Sequence, residues 1–231
     1  MKIYAMADIH GFYAEFEEAL ALVLDKLQDE DTMLLLLGDY IHGGYDNRRV
    51  LDKIMELQRE YGSDKVMALM GNHEEFVLDG VATIDYMCGW QDEKPEVDEE
   101  DEKYIDWMYD LPRYYADGNT IFVHAGIDEE AGDWWDVGTD DYTFTSKYPA
   151  ETGKIHDLDM KVVAGHVGTA EISGDPSFHE IFYDGASHYY IDGTVIDSGV
   201  IPVIMVDTDE DEYYRVTESG CWPILPYGED S

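Results

Sequence analysis

An α/β fold with a parallel sheet at its centre is what this chain predicts, and three observations predict it. The first is the stretch TMLLLLGD at residues 32–39, in which Met33 to Leu37 run without a polar residue into Gly38 and Asp39. So short an apolar run, bounded by polar residues and glycine, reads as a strand buried on both faces. The second is that residues 2–7 and 65–70 repeat the design, ending in Asp8, Ile9, His10, Gly11 and in Gly71, Asn72, His73, Glu74. The third is the helical spacing between them, Phe16, Leu20, Val23 and Leu27 in residues 12–27 and Val50, Ile54 and Leu57 in residues 47–61. Strand, helix, strand, helix, strand in that order implies right-handed crossovers.

Each further element follows from its own pattern. Gly62 and Ser63 stop the second helix, and residues 74–81 continue as a third. Residues 82–103 lose periodicity and carry QDEKPEVDEEDEK, which reads as a solvated acidic insertion. Residues 104–111 form a short amphipathic helix ended by Pro112. Residues 121–123 and 161–164 are strands that end at His124 and at Gly165 and His166. Residues 126–160, with Trp134 and Trp135 and several glycines, read as a long cap loop whose tryptophans pack it. Residues 178–183, 188–191, 203–206 and 213–216 are short aromatic or β-branched runs, expected as antiparallel strands of a second sheet packed on the first. A single domain spanning residues 1–231 is expected.

Composition narrows the function. Cys88 and Cys221 are the only cysteines, which leaves no disulfide framework and points to a reducing cytoplasm. The first strand begins almost at residue 1, so no signal peptide is expected. No apolar run approaches the roughly 20 residues of a membrane span. A net charge of -39 repels phosphate backbones and anionic lipid, which argues against nucleic-acid polymers and membranes as partners. Its plainest reading is solubility, so any ligand set has to be argued from position rather than from the abundance of aspartate.

Position is informative. Five strand ends deliver Asp8, His10, Asp39, Asn72, His124 and His166. Carboxylate and amide oxygens suit hard divalent cations, and imidazole suits manganese, iron or zinc. Asp8 and His10 can face one ion from the same turn, Asp39 can bridge two through its two oxygens, and Asn72, His124 and His166 can complete the second ion's shell. Two ions about 4 Å apart can clamp a phosphoryl group and lower the pKa of a bridging water. His73, beside a ligand but free to turn away, suits the general acid for the leaving oxygen.

In this order the segments ADIHG, GDYIHGG, GNHE, HAGI and AGHVGT resemble the signature of the calcineurin-like metallophosphoesterases, in the branch of the serine/threonine phosphoprotein phosphatases and their bacterial relatives. The resemblance extends to YYIDG at residues 189–193. It implies a four-layer α/β/β/α sandwich of two mixed β-sheets flanked by helices, and a dinuclear metal centre, with manganese or iron first and zinc next. It implies hydrolysis of phosphate esters by metal-activated water, with Asp8, His10 and Asp39 on the first metal and Asp39, Asn72, His124 and His166 on the second. His73 matches the catalytic histidine. The substrates implied are a phosphoprotein, a small phosphomonoester or a dinucleoside polyphosphate.

The chain departs from the family at two positions. Where GDxxDRG is usual it has GDYIHGG, with His42 for the aspartate and Gly43 for the phosphate-gripping arginine. Candidate substitutes for that grip are Arg48, Arg49, Arg113 and Lys147, the last in a loop where relatives often carry arginine, and Asn72 and His42 are further candidate substrate contacts. Ala7 stands for the usual glycine before the first aspartate. The departures open a second expectation, a catalytically weakened metal-binding protein that senses a phosphorylated ligand or binds a partner. His156, His179 and His188 match no motif and read as structural.

Overall fold

In the computed structural model, which describes residues 1–85 and 98–229, two sheets face each other and each carries helices on its outer side. The strands are β1 (Lys2–Met6), β2 (Thr32–Leu36), β3 (Val66–Ala68), β4 (Tyr114–Asp117), β5 (Thr120–Val123), β6 (Lys161–Ala164), β7 (Phe182–Tyr183), β8 (His188–Tyr190), β9 (Val203–Asp207), β10 (Glu212–Thr217) and β11 (Gly220–Pro223). The helices are α1 (Tyr13–Ala21), α2 (Asn47–Tyr61), α3 (Asn72–Leu78), α4 (Glu102–Tyr109), α5 (Trp135–Gly138), α6 (Asp141–Ser146), α7 (Thr169–Ser173) and α8 (Val195–Ser198). One sheet has the order β11-β10-β9-β1-β2-β3 and the other β4-β5-β6-β8-β7. This is the expected two-sheet sandwich. The middle part of the expected acidic insertion, residues 86–97, lies outside the described residues.

Period-two alternation builds the layers from β2 outward. Leu34 and Leu36 face the helices with Phe16, Leu20, Val50 and Ile54, while Met33, Leu35 and Leu37 face the other sheet with Phe122, Val163 and Ile191. Both faces are buried, which is why the run reads as continuously apolar. On the far side of the second sheet, Ile121, Val123 and Val162 pack against Ile127, Trp135, Phe144 and Ile155. Residues 126–160 therefore contain short helices fastened by apolar anchors as well as loop. Of the tryptophan pair only Trp135 is an anchor, at 7% exposure against 73% for Trp134.

Two expectations need correction. The late strands do not form the second sheet together: β9 pairs antiparallel with β1 and carries β10 and β11 into the first sheet, whereas β7 and β8 join β5 and β6. The first helix ends at Ala21, and residues 24–28 tighten into a 3-10 turn. Val23 and Leu27 keep apolar spacing because they still reach the same core.

His188 begins β8 inside an ion network. Its ring nitrogens lie 2.8 Å from Asp184 Oδ2 and 2.8 Å from Glu129 Oε1, tying the second sheet to the segment after β5. Burial works against the imidazolium, but the two carboxylates outweigh it and push His188 up to about 9. A histidine raised from its ordinary value stabilises the fold fully below about pH 6.5, and that stability is lost as pH rises through 9. Unfolding free energies measured from pH 6 to 10 should therefore lose roughly 3 kcal/mol through His188 in the native chain. The fall should flatten in His188→Gln; an equal fall in both would contradict the network's role.

Candidate metal centre

Every candidate donor stands just beyond the carboxyl end of a strand. Asp8 and His10 follow β1, Asp39 follows β2, Asn72 and His73 open α3 after β3, His124 follows β5 and His166 follows β6. Parallel pairing of β1 with β2 and of β2 with β3, and of β5 with β6 and of β6 with β8, brings the carboxyl edges of both sheets to one place. Asp8, His10, Asp39 and His166 all have positive φ, at 56°, 48°, 56° and 66°. Aspartate and histidine tolerate this region better than most residues, yet four together store strain of the kind that persists at functional sites. A Cβ on Gly71 would lie 2.3 Å from Asp39 Oδ1, so the loops after β2 and β3 can meet only because that position is glycine.

Asp39 is the hub. Its Oδ1 lies 3.4 Å from His124 Nε2 and accepts from the His73 backbone N–H at 3.0 Å, while its Oδ2 lies 3.7 Å from His10 Nε2 and 3.8 Å from His73 Nε2. Asp8 Oδ1 is 3.9 Å from His10 Nε2, and the Asp8 carboxylate accepts from the His166 backbone N–H. Two imidazoles are oriented from behind: His10 Nδ1–H donates to the Ile41 carbonyl and His124 Nδ1–H to the Leu37 carbonyl. Both therefore aim Nε2 inward, the orientation typical of metal-ligating histidine.

Three features fit a cation at this centre. Asn72 places its amide, a neutral oxygen donor, within 3.0 Å of His124 Nε2, 3.1 Å of His166 Nδ1 and 3.2 and 3.3 Å of the Asp39 oxygens. Among the described residues, the donor atoms of His10, Asp39 and His73, and those of Asp39, His124 and His166, lie within 4.8 Å of one another, so each group could hold a metal ion. The first group has His73 where the sequence suggested Asp8. Thirdly, buried negative charge is in surplus: burial, and then Asp192, push the Asp8 carboxyl well above its usual range. Burial alone would raise Asp39 as well, but His124, His73 and His10 hold it low. Burial opposes charge on His124, yet Asp39, Asp8 and Glu74 push it up to about 10. His73 and His166 go the other way, to about 4, chiefly through burial.

The remaining candidates fall elsewhere. Arg48 donates from Nε and Nη2 to Asp101 and from Nη1 to Asp85. Arg49 lies against Asp46 and over the Tyr13 ring, and Arg113 pairs with Glu75 and Asp141. Lys147 donates to the Ile127 carbonyl and pairs with Glu129 and Glu151. His42 does reach the cluster, with its Nδ1 2.9 Å from His73 Nδ1, and burial keeps it below its ordinary pKa.

Two residues escaped the sequence reading. Asp192, buried after β8, influences Asp8 directly; the signal was there in YYIDG, one more strand ending in aspartate. Glu74, fully buried in α3, accepts from the Asp39 and Tyr40 backbone N–H groups at 2.9 Å each and from Gly71 N–H at 3.2 Å. It clamps the loop after β2 onto the start of α3.

The fold and this cluster define a class, the two-sheet phosphoesterases with a histidine and aspartate centre. Residues 1–196 match the calcineurin-like phosphoesterase family, and the chain belongs to it. It is 34% identical over 133 residues to a symmetrical bis(5'-nucleosyl)-tetraphosphatase of Nitrosospira multiformis, covering 55% of this chain and 44% of the relative. A zinc-dependent endopolyphosphatase of Saccharomyces cerevisiae is 37% identical over 75 residues, covering 32% of this chain and 21% of that one. The chain spans about half the length of the tetraphosphatases it matches. In fold it is similar to a cold-active protein-tyrosine phosphatase of a psychrophilic Shewanella, with a TM-score of 0.61, 16% identity and coverage of 97% and 80% of the two chains.

Replacing Glu74 by alanine leaves three buried N–H groups without their acceptor. At about 1–3 kcal/mol for each such group, Glu74→Ala should lose several kcal/mol in urea unfolding and bind manganese more weakly by calorimetry. Native stability with native manganese affinity would show that the clamp is dispensable.

Proposed function

We propose that the chain is a dinuclear metal-dependent phosphoesterase. The observation that carries this reading is the convergence of His10, His73, His124 and Asn72 on the single carboxylate of Asp39, with the His166 ring within 4.8 Å of it. Asp8, His10 and Asp39 would hold one ion, and Asp39, Asn72, His124 and His166 the other, with the Asp39 carboxylate shared. Manganese or iron suits the mixed imidazole and oxygen donor set. When bound, such ions neutralise phosphoryl charge and lower the pKa of water to supply a nucleophile.

The chain's own groups do the rest. Asn72, with its oxygen turned inward, has an amide nitrogen left to donate to a phosphoryl oxygen. His73 is the general acid, its half-exposed ring presenting Nε2 toward the cluster. A bound phosphate dianion supplies the negative charge that raises its proton affinity. Arg48 and Lys147, committed to carboxylates, contribute little to the grip. Phosphoproteins, small phosphomonoesters and dinucleoside polyphosphates are the substrates this reading admits, and the tetraphosphatases among its relatives favour the last. The cytoplasm, where a thiol such as Cys221 stays free, is the proposed compartment.

A non-catalytic sensor of phosphorylated ligands is the second reading, favoured by Gly43 and by the committed arginines. Manganese-supplemented assays on p-nitrophenyl phosphate and diadenosine tetraphosphate separate the two. Turnover is expected, with a loss of about 1,000-fold in Asp39→Asn, on the order of what a shared metal carboxylate supplies. Calorimetric binding of phosphate without turnover above that of Asp39→Asn would select the sensor.

A further inference from the structure

The segment from Ile41 to Gly44 is where the chain leaves its family's pattern, and its geometry is coherent. His42 is 5% exposed and has a φ of 69°; its backbone N–H donates to Asn47 Oδ1 at 3.1 Å, which pins the left-handed turn. The turn throws the imidazole inward between two partners, His73 Nδ1 at 2.9 Å and the Thr83 carbonyl at 2.7 Å from Nε2. A carbonyl only accepts, so Nε2 carries the proton. Neutral His42 then has a bare Nδ1 that accepts from His73 Nδ1–H, and the Nε2 of His73 is the nitrogen left for chemistry.

Gly43 belongs to the same design. Its φ is 122°, and a Cβ there would lie 3.2 Å from His10 Cβ and 3.3 Å from the His10 carbonyl oxygen. In this turn a side chain at position 43 would be strained by the positive φ and tight against His10. The two departures sit in one turn, with a histidine behind His73 and no side chain at position 43.

We infer that His42 is the positioning residue of His73, holding it through a neutral imidazole relay anchored on the Thr83 carbonyl. This inference rests on the phosphoesterase reading given above. The relay fixes which nitrogen of His73 faces the leaving oxygen, and the ring tilt, with centroids 5.0 Å apart, that aims it. It adds no charge, unlike a carboxylate in that place.

A residue acting through the general acid should matter in proportion to the leaving group's need for a proton. The test compares His42→Leu, His42→Asn and His73→Asn on phenyl phosphate, whose leaving oxygen needs one, and on 2,4-dinitrophenyl phosphate, whose leaving group departs unprotonated. In His42→Leu kcat on phenyl phosphate should fall about 100-fold, the scale of general acid catalysis. It should change less than about threefold on the dinitrophenyl ester, where protonation contributes nothing. His42→Asn keeps an acceptor and tolerates the left-handed backbone, and should recover most of the loss. Adding His42→Leu to His73→Asn should cost nothing more.

Equal losses on both esters in His42→Leu, with bound metal unchanged, would overturn the relay and leave the phosphoesterase reading standing. Failure of the native chain to hydrolyse either ester or diadenosine tetraphosphate would instead remove the phosphoesterase reading. The relay itself is still decided then by nitrogen-15 spectra: protonated Nδ1 on His73 and bare Nδ1 on His42 support it, and the reverse tautomers contradict it.

Discussion

Everything at the centre of this molecule is arranged around the carboxylate of Asp39. Asp39 touches groups from three other strand ends: the His10 backbone N–H donates to its carbonyl, its own N–H is held by Glu74, and its side-chain oxygens face His10, His73, His124 and Asn72. A buried anion is costly unless positive charge compensates for it. Several imidazoles supply part of that compensation, and a pair of cations would supply the whole. The left-handed turns, the glycine at position 71 and the Glu74 clamp are all means of bringing backbone close enough for that compensation to work.

The two sheets serve this purpose by their edges rather than by their faces. Parallel pairing aligns the carboxyl ends of β1, β2 and β3 on one sheet and of β5, β6 and β8 on the other, and the apolar layer between them, with Leu35, Phe122 and Val163, fixes one edge against the other. Open α/β sheets bind ligands at such edges. Here two edges meet, so donors separated by more than 150 residues in sequence, such as Asp8 and His166, share a hydrogen bond.

Much of this was readable in the sequence because the signals were local. A short apolar run says strand, and the Asp, His or Asn after it says what the strand end carries; Asp39 and His124 are both of this kind. The sheet to which β9 and β10 belong was not readable, since their alternation looks the same beside β1 as beside β8. Nor was the helical content of residues 126–160, where anchors such as Trp135 and Phe144 lie too far apart to show a period. Glu74 was visible only as the last residue of GNHE, and its worth lies in three backbone donors brought to it by folding. His42 stood between: the substitution was plain, but its two ring partners, His73 and Thr83, lie 31 and 41 residues away.

The most direct measurement is anomalous X-ray scattering from crystals grown with manganese. Two peaks flanking Asp39 are expected, one near Asp8 and His10 and the other near Asn72, His124 and His166, each about 2.0–2.4 Å from its nearest donor atoms. A map with no peak there, or with manganese confined to the acidic surface, would contradict the dinuclear centre.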